Sequence, residues 1–98
     1  METIFTFRNI HSTDALRNHT IEKMEKLKKY LVKPVSAHVM FHIERHEQIA
    51  EITLSANGHT YVGIGKSDDM YPSIDDAIRK LLTQVKRDRD RIKQHKGE

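Results

Sequence analysis

Apolar and polar residues alternate along four short stretches of this chain and recur at helical spacing along two longer ones. Residues 3–9 alternate, with Phe5 and Phe7 on one side, and read as a strand. Ser12-Thr13-Asp14 follows. Either hydroxyl can cap a helix, and Thr13 is favoured because Asp14 then falls in the first turn, near the positive end of the helix dipole. The helix is expected from Asp14 to about Leu31, with Leu16, Met24, Leu27 and Leu31 as its apolar stripe and Ile21 at the margin. Pro34 is expected to stop it.

Residues 35–44 place Val35, Ala37, Val39, Phe41 and Ile43 on one strand face and Ser36, His38, Met40, His42 and Glu44 on the other. The polar residues 45–48 read as a turn, and residues 49–56 as a third strand. Asn57-Gly58 calls for a two-residue type I′ hairpin, which needs positive φ at both positions. That turn sets the register of the next strand: Ala56 opposite His59, Leu54 opposite Tyr61, Ile52 opposite Gly63 and Ala50 opposite Gly65. This face is taken as covered. Gly63 and Gly65 then let a helix approach the sheet closely, and Val62 and Ile64 are left on the open face. Asp69 caps a last helix, with Pro72 in its first turn, that runs to about His95. Its buried stripe is Ile74, Ile78, Leu81, Val85 and Ile92. The apolar pattern thins beyond Val85, so the final turns should project past the sheet. The predicted order is β-α-β-β-β-α, an α+β arrangement with no repeat and no linker.

Ninety-eight residues with 37% apolar content support one modest core, hence a single domain over residues 1–98. The absence of cysteine removes disulfides and cysteine-based zinc sites. No stretch has the length or apolarity of a membrane span, and the N-terminus lacks the features of a signal peptide, so the expected compartment is the cytoplasm.

A net charge of +3 says little until the charges are placed. Lys26, Lys29 and Lys33 share the outer face of the first helix, flanked by Arg17 and Lys23. On the second helix Arg79, Lys80, Lys86 and Arg87 face outward. Residues 86–96 hold six Lys or Arg against two Asp. Side by side, the two helices would merge these into one basic surface suited to a phosphate backbone. The same spacing has a plainer reading. Glu22/Lys26, Glu25/Lys29, Asp75/Arg79 and Asp76/Lys80 are acid-before-base pairs, each adding about 0.2–0.5 kcal/mol to a helix without any partner.

Catalytic chemistry finds little support. His38 and His42 share a strand face but lie about 13 Å apart at strand rise, too far for one metal ion. Gly63-Ile64-Gly65-Lys66 lacks the spacing of a nucleotide loop. Asp68-Asp69 is explained by capping. Tyr61 falls in the core, and Tyr71 anchors the entry of the last helix. No enzyme, cofactor or metal is expected.

Several segments together resemble the hibernation promoting factor and ribosome-associated inhibitor family, also called the sigma-54 modulation or S30EA family. They are Ala15-Leu16-Arg17, Glu22-Lys23-Met24-Glu25-Lys26-Leu27 with Tyr30, Ala50-Glu51-Ile52-Thr53-Leu54 ending in Asn57-Gly58, Asp69-Met70-Tyr71 with Ile74-Asp75, and the basic run ending Lys93-Gln94-His95. The likeness covers almost the whole chain. It implies a four-stranded sheet with both helices on one face, similar to a double-stranded RNA-binding domain. It also implies binding to the small ribosomal subunit and its rRNA, where messenger and transfer RNAs would lie, so that translation is blocked with no bond made or broken. Short members work with ribosome modulation factor to favour paired, inactive ribosomes in stationary phase.

Carried over by position, the family pattern marks Arg17, Lys23 and Lys26, then Lys80, Arg87, Arg89, Arg91 and Lys93. With Lys29, Arg79 and Lys86 from the charge pattern, these are the expected rRNA contacts. Reversing Lys80, Arg87 and Arg91 to Glu together is expected to abolish subunit binding while the fold survives. Thr83 stands where a basic residue is common. Pro72 departs from the pattern at the helix start, and His19 and Thr20 replace apolar residues, so the first helix is expected to pack less firmly. The chain matches a one-domain member, without a second domain or an extended tail, and is expected to be monomeric when free. Two other readings fit the residues. One is a general double-stranded RNA binder. The other is a protein-interaction module that modulates an alternative sigma factor through an apolar surface at Val62 and Ile64.

Overall fold

The computed structural model describes residues 1–32 and 35–96, with side chains described as far as Asp90. The expectations placed on Lys33 and Pro34, and on the side chains of Arg91, Ile92 and Lys93, lie outside the described residues. Strand β1 (Glu2–Arg8) leads to α1 (Asp14–Met24), which tightens into a 3₁₀ segment (Glu25–Tyr30). Strands β2 (Ser36–Glu44), β3 (Glu47–Ala56) and β4 (His59–Ser67) follow, and α2 (Met70–Lys96) closes the chain. The sheet order is β1-β2-β3-β4, with β1 parallel to β2 and the other pairs antiparallel. Both helices pack on one face, and the β-α-β-β-β-α order is the predicted one.

The hairpin register holds at every expected pair, from Ala56↔His59 to Ala50↔Gly65. Asn57 and Gly58 both take positive φ, 57° and 73°. The covered face is graded in size. One row across it reads Phe7, Phe41, Ala50, Gly65, and the next Phe5, Val39, Ile52, Gly63. Bulk therefore sits under α1, where the Phe7 and Phe41 ring centroids are 5.1 Å apart. Glycines sit under α2. A Cβ on Gly63 would lie 3.0 Å from the Leu81 side chain, 3.1 Å from the Ala77 carbonyl carbon and closer still to the Ala77 oxygen. α2 answers with Ile74, Ala77, Ile78, Leu81 and Val85, all buried.

Several boundaries differ from the expectation. The polar stretch after β2 is only a two-residue turn, Arg45-His46, with Arg45 at φ 55°. Glu47 and Gln48 join the ladder because Glu44 and Ile43 still have partners to offer. Ile43, next to the β2–β3 turn, is exposed. Val35 precedes β2 rather than starting it, although its carbonyl still accepts from Glu2 N–H at 3.3 Å. Thr20 does not loosen α1. It is fully buried, and its hydroxyl donates to the Leu16 carbonyl at 2.8 Å, so a polar residue sits in the stripe at no unsatisfied cost. Thr13 caps α1 as expected, accepting from Leu16 N–H at 3.2 Å. Asp69 caps α2 through Tyr71 N–H at 3.4 Å.

The first helix also ends earlier than expected. Beyond Met24 the backbone winds more tightly, and Leu31 is already extended at φ −112°, ψ 138°. Asn57 holds this end. Its side-chain oxygen accepts from Val32 N–H at 2.7 Å, and its amide donates to the Tyr30 carbonyl at 3.2 Å. The residue that turns the β3–β4 hairpin thus also clamps the end of the 3₁₀ segment. Asn57→Gly keeps the turn and removes the clamp. It is expected to cost about 1–2 kcal/mol for two hydrogen bonds, lowering the melting temperature by roughly 5–10 °C. An unchanged melting curve would show that the clamp contributes nothing.

Candidate nucleic-acid interface

The two helices run in the same direction. At their starts, the His19 ring lies 2.8 Å from an Asp75 carboxylate oxygen and meets Tyr71 edge-on at 5.0 Å. At the far end, Tyr30 lies beside Lys86 and Arg89. Between these points two surface depressions share Lys26 and Leu82 and so join into one groove. Lys23, Lys26 and Lys29 form one bank, Arg79 and Lys86 the other, with Ile78, Leu82 and Tyr30 between them, and the two acids of the lining, Asp75 and Glu25, are paired with His19 and Lys28.

Tyr30 organises the far end. The Lys29 and Lys86 ammonium nitrogens lie 5.3 and 5.7 Å from its ring centroid, and the Arg89 guanidinium carbon 5.2 Å. Each such contact is worth about 0.5–1 kcal/mol at an exposed site. Two like charges about 8 Å apart in water repel by about 0.5 kcal/mol. The ring thus offsets the repulsion of the cations it gathers. In the sequence Tyr30 stands out only among the family-like segments, with no role assigned to it. The available signal was an aromatic set directly in a lysine run, Lys28-Lys29-Tyr30.

The expected single basic surface is divided. Lys80 does not face the groove. Its ammonium donates to the Ile64 carbonyl at 2.6 Å on β4 and pairs with Asp76 at 3.1 Å. Gln84, one turn on, donates to the Val62 carbonyl at 2.8 Å. Arg87 is exposed and falls seven residues after Lys80, on the same flank of α2. Helix α2 therefore carries one cationic flank toward α1 (Arg79, Lys86, Arg89) and another over the edge of β4 (Lys80, Arg87). Lys80 and Gln84 cap outward carbonyls of that edge strand, as lysines do where a sheet edge needs protection.

Other charges are also engaged. Arg17 pairs with Asp14 at 3.1 Å and lies over the Phe7 ring at 5.1 Å, bound to the start of α1. Of the four expected i, i+4 pairs, Asp76–Lys80 forms. Asp75 instead meets His19, Glu25 takes Lys28, and Arg79 takes Asp76. Hydrogen bonds from Arg79 and Lys80 hold the Asp76 carboxyl below the usual carboxylate range. Asp88, an acid within the basic run, accepts from the Tyr61 hydroxyl at 2.7 Å. Burial, and then this bond, raise the Tyr61 pKa above 10.0. One acidic charge of the run is thereby held toward the sheet, away from the groove.

The open face of the sheet is mixed. Rows of Ile4, His38, Thr53, Val62 and of Thr6, Met40, Glu51, Ile64 cross it. Val62 and Ile64 are 42% and 37% exposed, as expected. His38 lies 2.8 Å from the Thr6 hydroxyl. Among the described residues no three His, Asp or Glu side chains come together as a metal site would require, and no helix is long and apolar enough to cross a membrane.

Residues 3–93 match the family described as Sigma 54 modulation protein / S30EA ribosomal protein. The chain is 34% identical to the ribosome hibernation promoting factor of Salmonella typhimurium, over 97% of this chain and all of that one. It is 32% identical to that of Escherichia coli K12 with the same coverage. Among solved structures, it is similar to a ribosomal subunit interface protein from Coxiella burnetii, with TM-score 0.81 and 26% identity, covering 92% of this chain and 99% of that one. It is also similar to the N-terminal domain of Thermus thermophilus Protein Y, with TM-score 0.80 and 30% identity, covering 89% and 98%.

Proposed function

This chain belongs to the sigma 54 modulation protein / S30EA ribosomal protein family, and on that premise we propose that it is a ribosome hibernation factor. It binds the small ribosomal subunit where messenger and transfer RNAs would lie and blocks translation by occupying the channel. No reaction is catalysed. It is monomeric when free, acts in the cytoplasm, and works with ribosome modulation factor to favour paired, inactive ribosomes.

The observation that carries this reading is the groove between two parallel helical segments, with cations on both banks and Tyr30 at one end. Such a surface follows a phosphate backbone and reads shape rather than base sequence. Arg17, Lys23, Lys26, Lys29, Arg79, Lys86 and Arg89 are assigned to the groove and its approach. Lys80 and Arg87 are assigned to peripheral contacts, and Arg91 and Lys93 are kept as rRNA contacts on the family pattern alone.

Titration onto purified small subunits tests it. Even if only four of these residues contact phosphates, affinity should fall about 50- to 150-fold between about 50 and about 200 mM salt, and further with each additional contact. A salt-insensitive affinity would favour the sigma-factor alternative, a protein interface through exposed Val62 and Ile64. Equal affinity for naked duplex RNA would favour a general RNA binder.

A further inference from the structure

We propose that Tyr30 builds a seat for one RNA backbone phosphate at the far end of the groove, acting as a positioning residue rather than as a base-stacking one. The inference rests on the RNA-binding reading above and adds a specific ligand group and a specific residue to it.

Three observations converge. First, the cations of Lys29, Lys86 and Arg89 all lie within 5.7 Å of one ring centroid, so a single ring collects cations from two elements. Left to themselves, three like charges on long side chains would spread apart. Second, the ring is fixed from behind. The Tyr30 carbonyl accepts from Asn57 at 3.2 Å, and the Val32 N–H donates to Asn57 at 2.7 Å, so the hairpin holds the segment that carries the ring. Third, the depression at this point is lined by Glu25, Lys26, Lys29, Tyr30, Leu82 and Lys86, and its one acid, Glu25, is already paired with Lys28 at 2.8 Å, which leaves Lys29 and Lys86 open to a ligand. An anion there meets charge already assembled, without the ordering cost of collecting it. A phosphodiester suits the cluster better than a base, because the ring is already occupied by cations that a stacked base would displace.

The test compares Tyr30→Leu and Tyr30→Phe in the full chain, titrated onto purified small subunits across a series of salt concentrations, with urea unfolding as a control for folding. Tyr30→Phe keeps the ring face and should bind like the wild type. Tyr30→Leu should bind about tenfold more weakly, and the slope of log affinity against log salt should become shallower by about 0.7–0.9, the signature of one lost phosphate contact. A Tyr30→Leu variant with wild-type affinity and slope would overturn the proposal and leave the RNA-binding reading intact. Weaker binding with an unchanged slope would overturn it too and point to base stacking. So would a Tyr30→Phe variant as weak as Tyr30→Leu, because the cations need the ring and not the hydroxyl. If the wild type itself shows no salt-dependent binding to subunits, the broader reading fails first.

Discussion

Gly65→Ala is expected to destabilise the protein by about 3 kcal/mol or more, the upper end of what overpacking a core costs. A Cβ at this position would lie 2.8 Å from the carbonyl carbon of Ser73, 3.0 Å from the amide of Ala77, and closer still to the Ser73 oxygen. These are backbone atoms of α2 and cannot swing away as a side chain can. Relief requires the helix to lift off β4. That would also strain Ser73, which is fully buried with its hydroxyl 2.6 Å from the Gln48 carbonyl and 2.7 Å from the Ser67 hydroxyl. Gly58→Ala is the control. It has nothing within 4 Å, and its cost is only that of holding φ at 73°, about 1–2 kcal/mol. Urea unfolding of the two variants checks the ranking. Equal midpoints would mean that helix and sheet are not in the close contact described.

Lys86→Glu and Arg87→Glu are the second pair, neighbours in sequence on opposite flanks of α2. Lys86 faces Tyr30 and the bank of Lys26 and Lys29, and Arg87 falls on the β4 side. Reversal inside a groove lined by cations acts where the field is focused, whereas reversal on an open flank is screened by solvent. Lys86→Glu is expected to weaken subunit binding about 30-fold, or about 2 kcal/mol, and Arg87→Glu by about threefold or less. Lys26→Glu combined with Lys86→Glu removes one cation from each bank and should exceed about 100-fold. Co-sedimentation with small subunits measures all three, and the opposite ranking would move the interface to the β4 flank. Lys80 is unsuited to this comparison. Its ammonium is bound to the Ile64 carbonyl, so Lys80→Glu would disturb the sheet edge as well as the charge.

What was legible in the sequence was whatever depends on short-range geometry. Period-two alternation and the Asn57-Gly58 turn determined the register, and through it the use of Gly63 and Gly65 beneath a helix. The helix caps Thr13 and Asp69 were legible for the same reason. The tightening at residues 25–30 was not, because it is stabilised by Asn57, twenty-five residues away from Val32 in the chain. The salt-bridge pattern misled in a similar way. Asp75 has Arg79 within reach on its own helix, but His19 approaches from the other helix and takes it. The basic residues themselves were found readily. Their division into two flanks was not, because outward from a core still leaves two directions around a helix. The choice between them depends on which neighbour, α1 or β4, lies on each side.

The parallel pairing of β1 with β2 bears on how the groove is held in existence. Glu2 meets Ser36 across the whole of α1 and the 3₁₀ segment, whereas Glu44 meets Glu47 and Ala56 meets His59 across two-residue turns. Closing a loop costs entropy that rises by about 0.6 kcal/mol with each doubling of its length. The dearest closure in the sheet is thus the one that attaches the bank bearing Lys23, Lys26 and Lys29. The other bank belongs to a body of three strands and α2 joined by local turns. The groove is a seam between a locally closed unit and an arm returned to it from a distance. Loosening that arm dissolves the surface before it dissolves the fold.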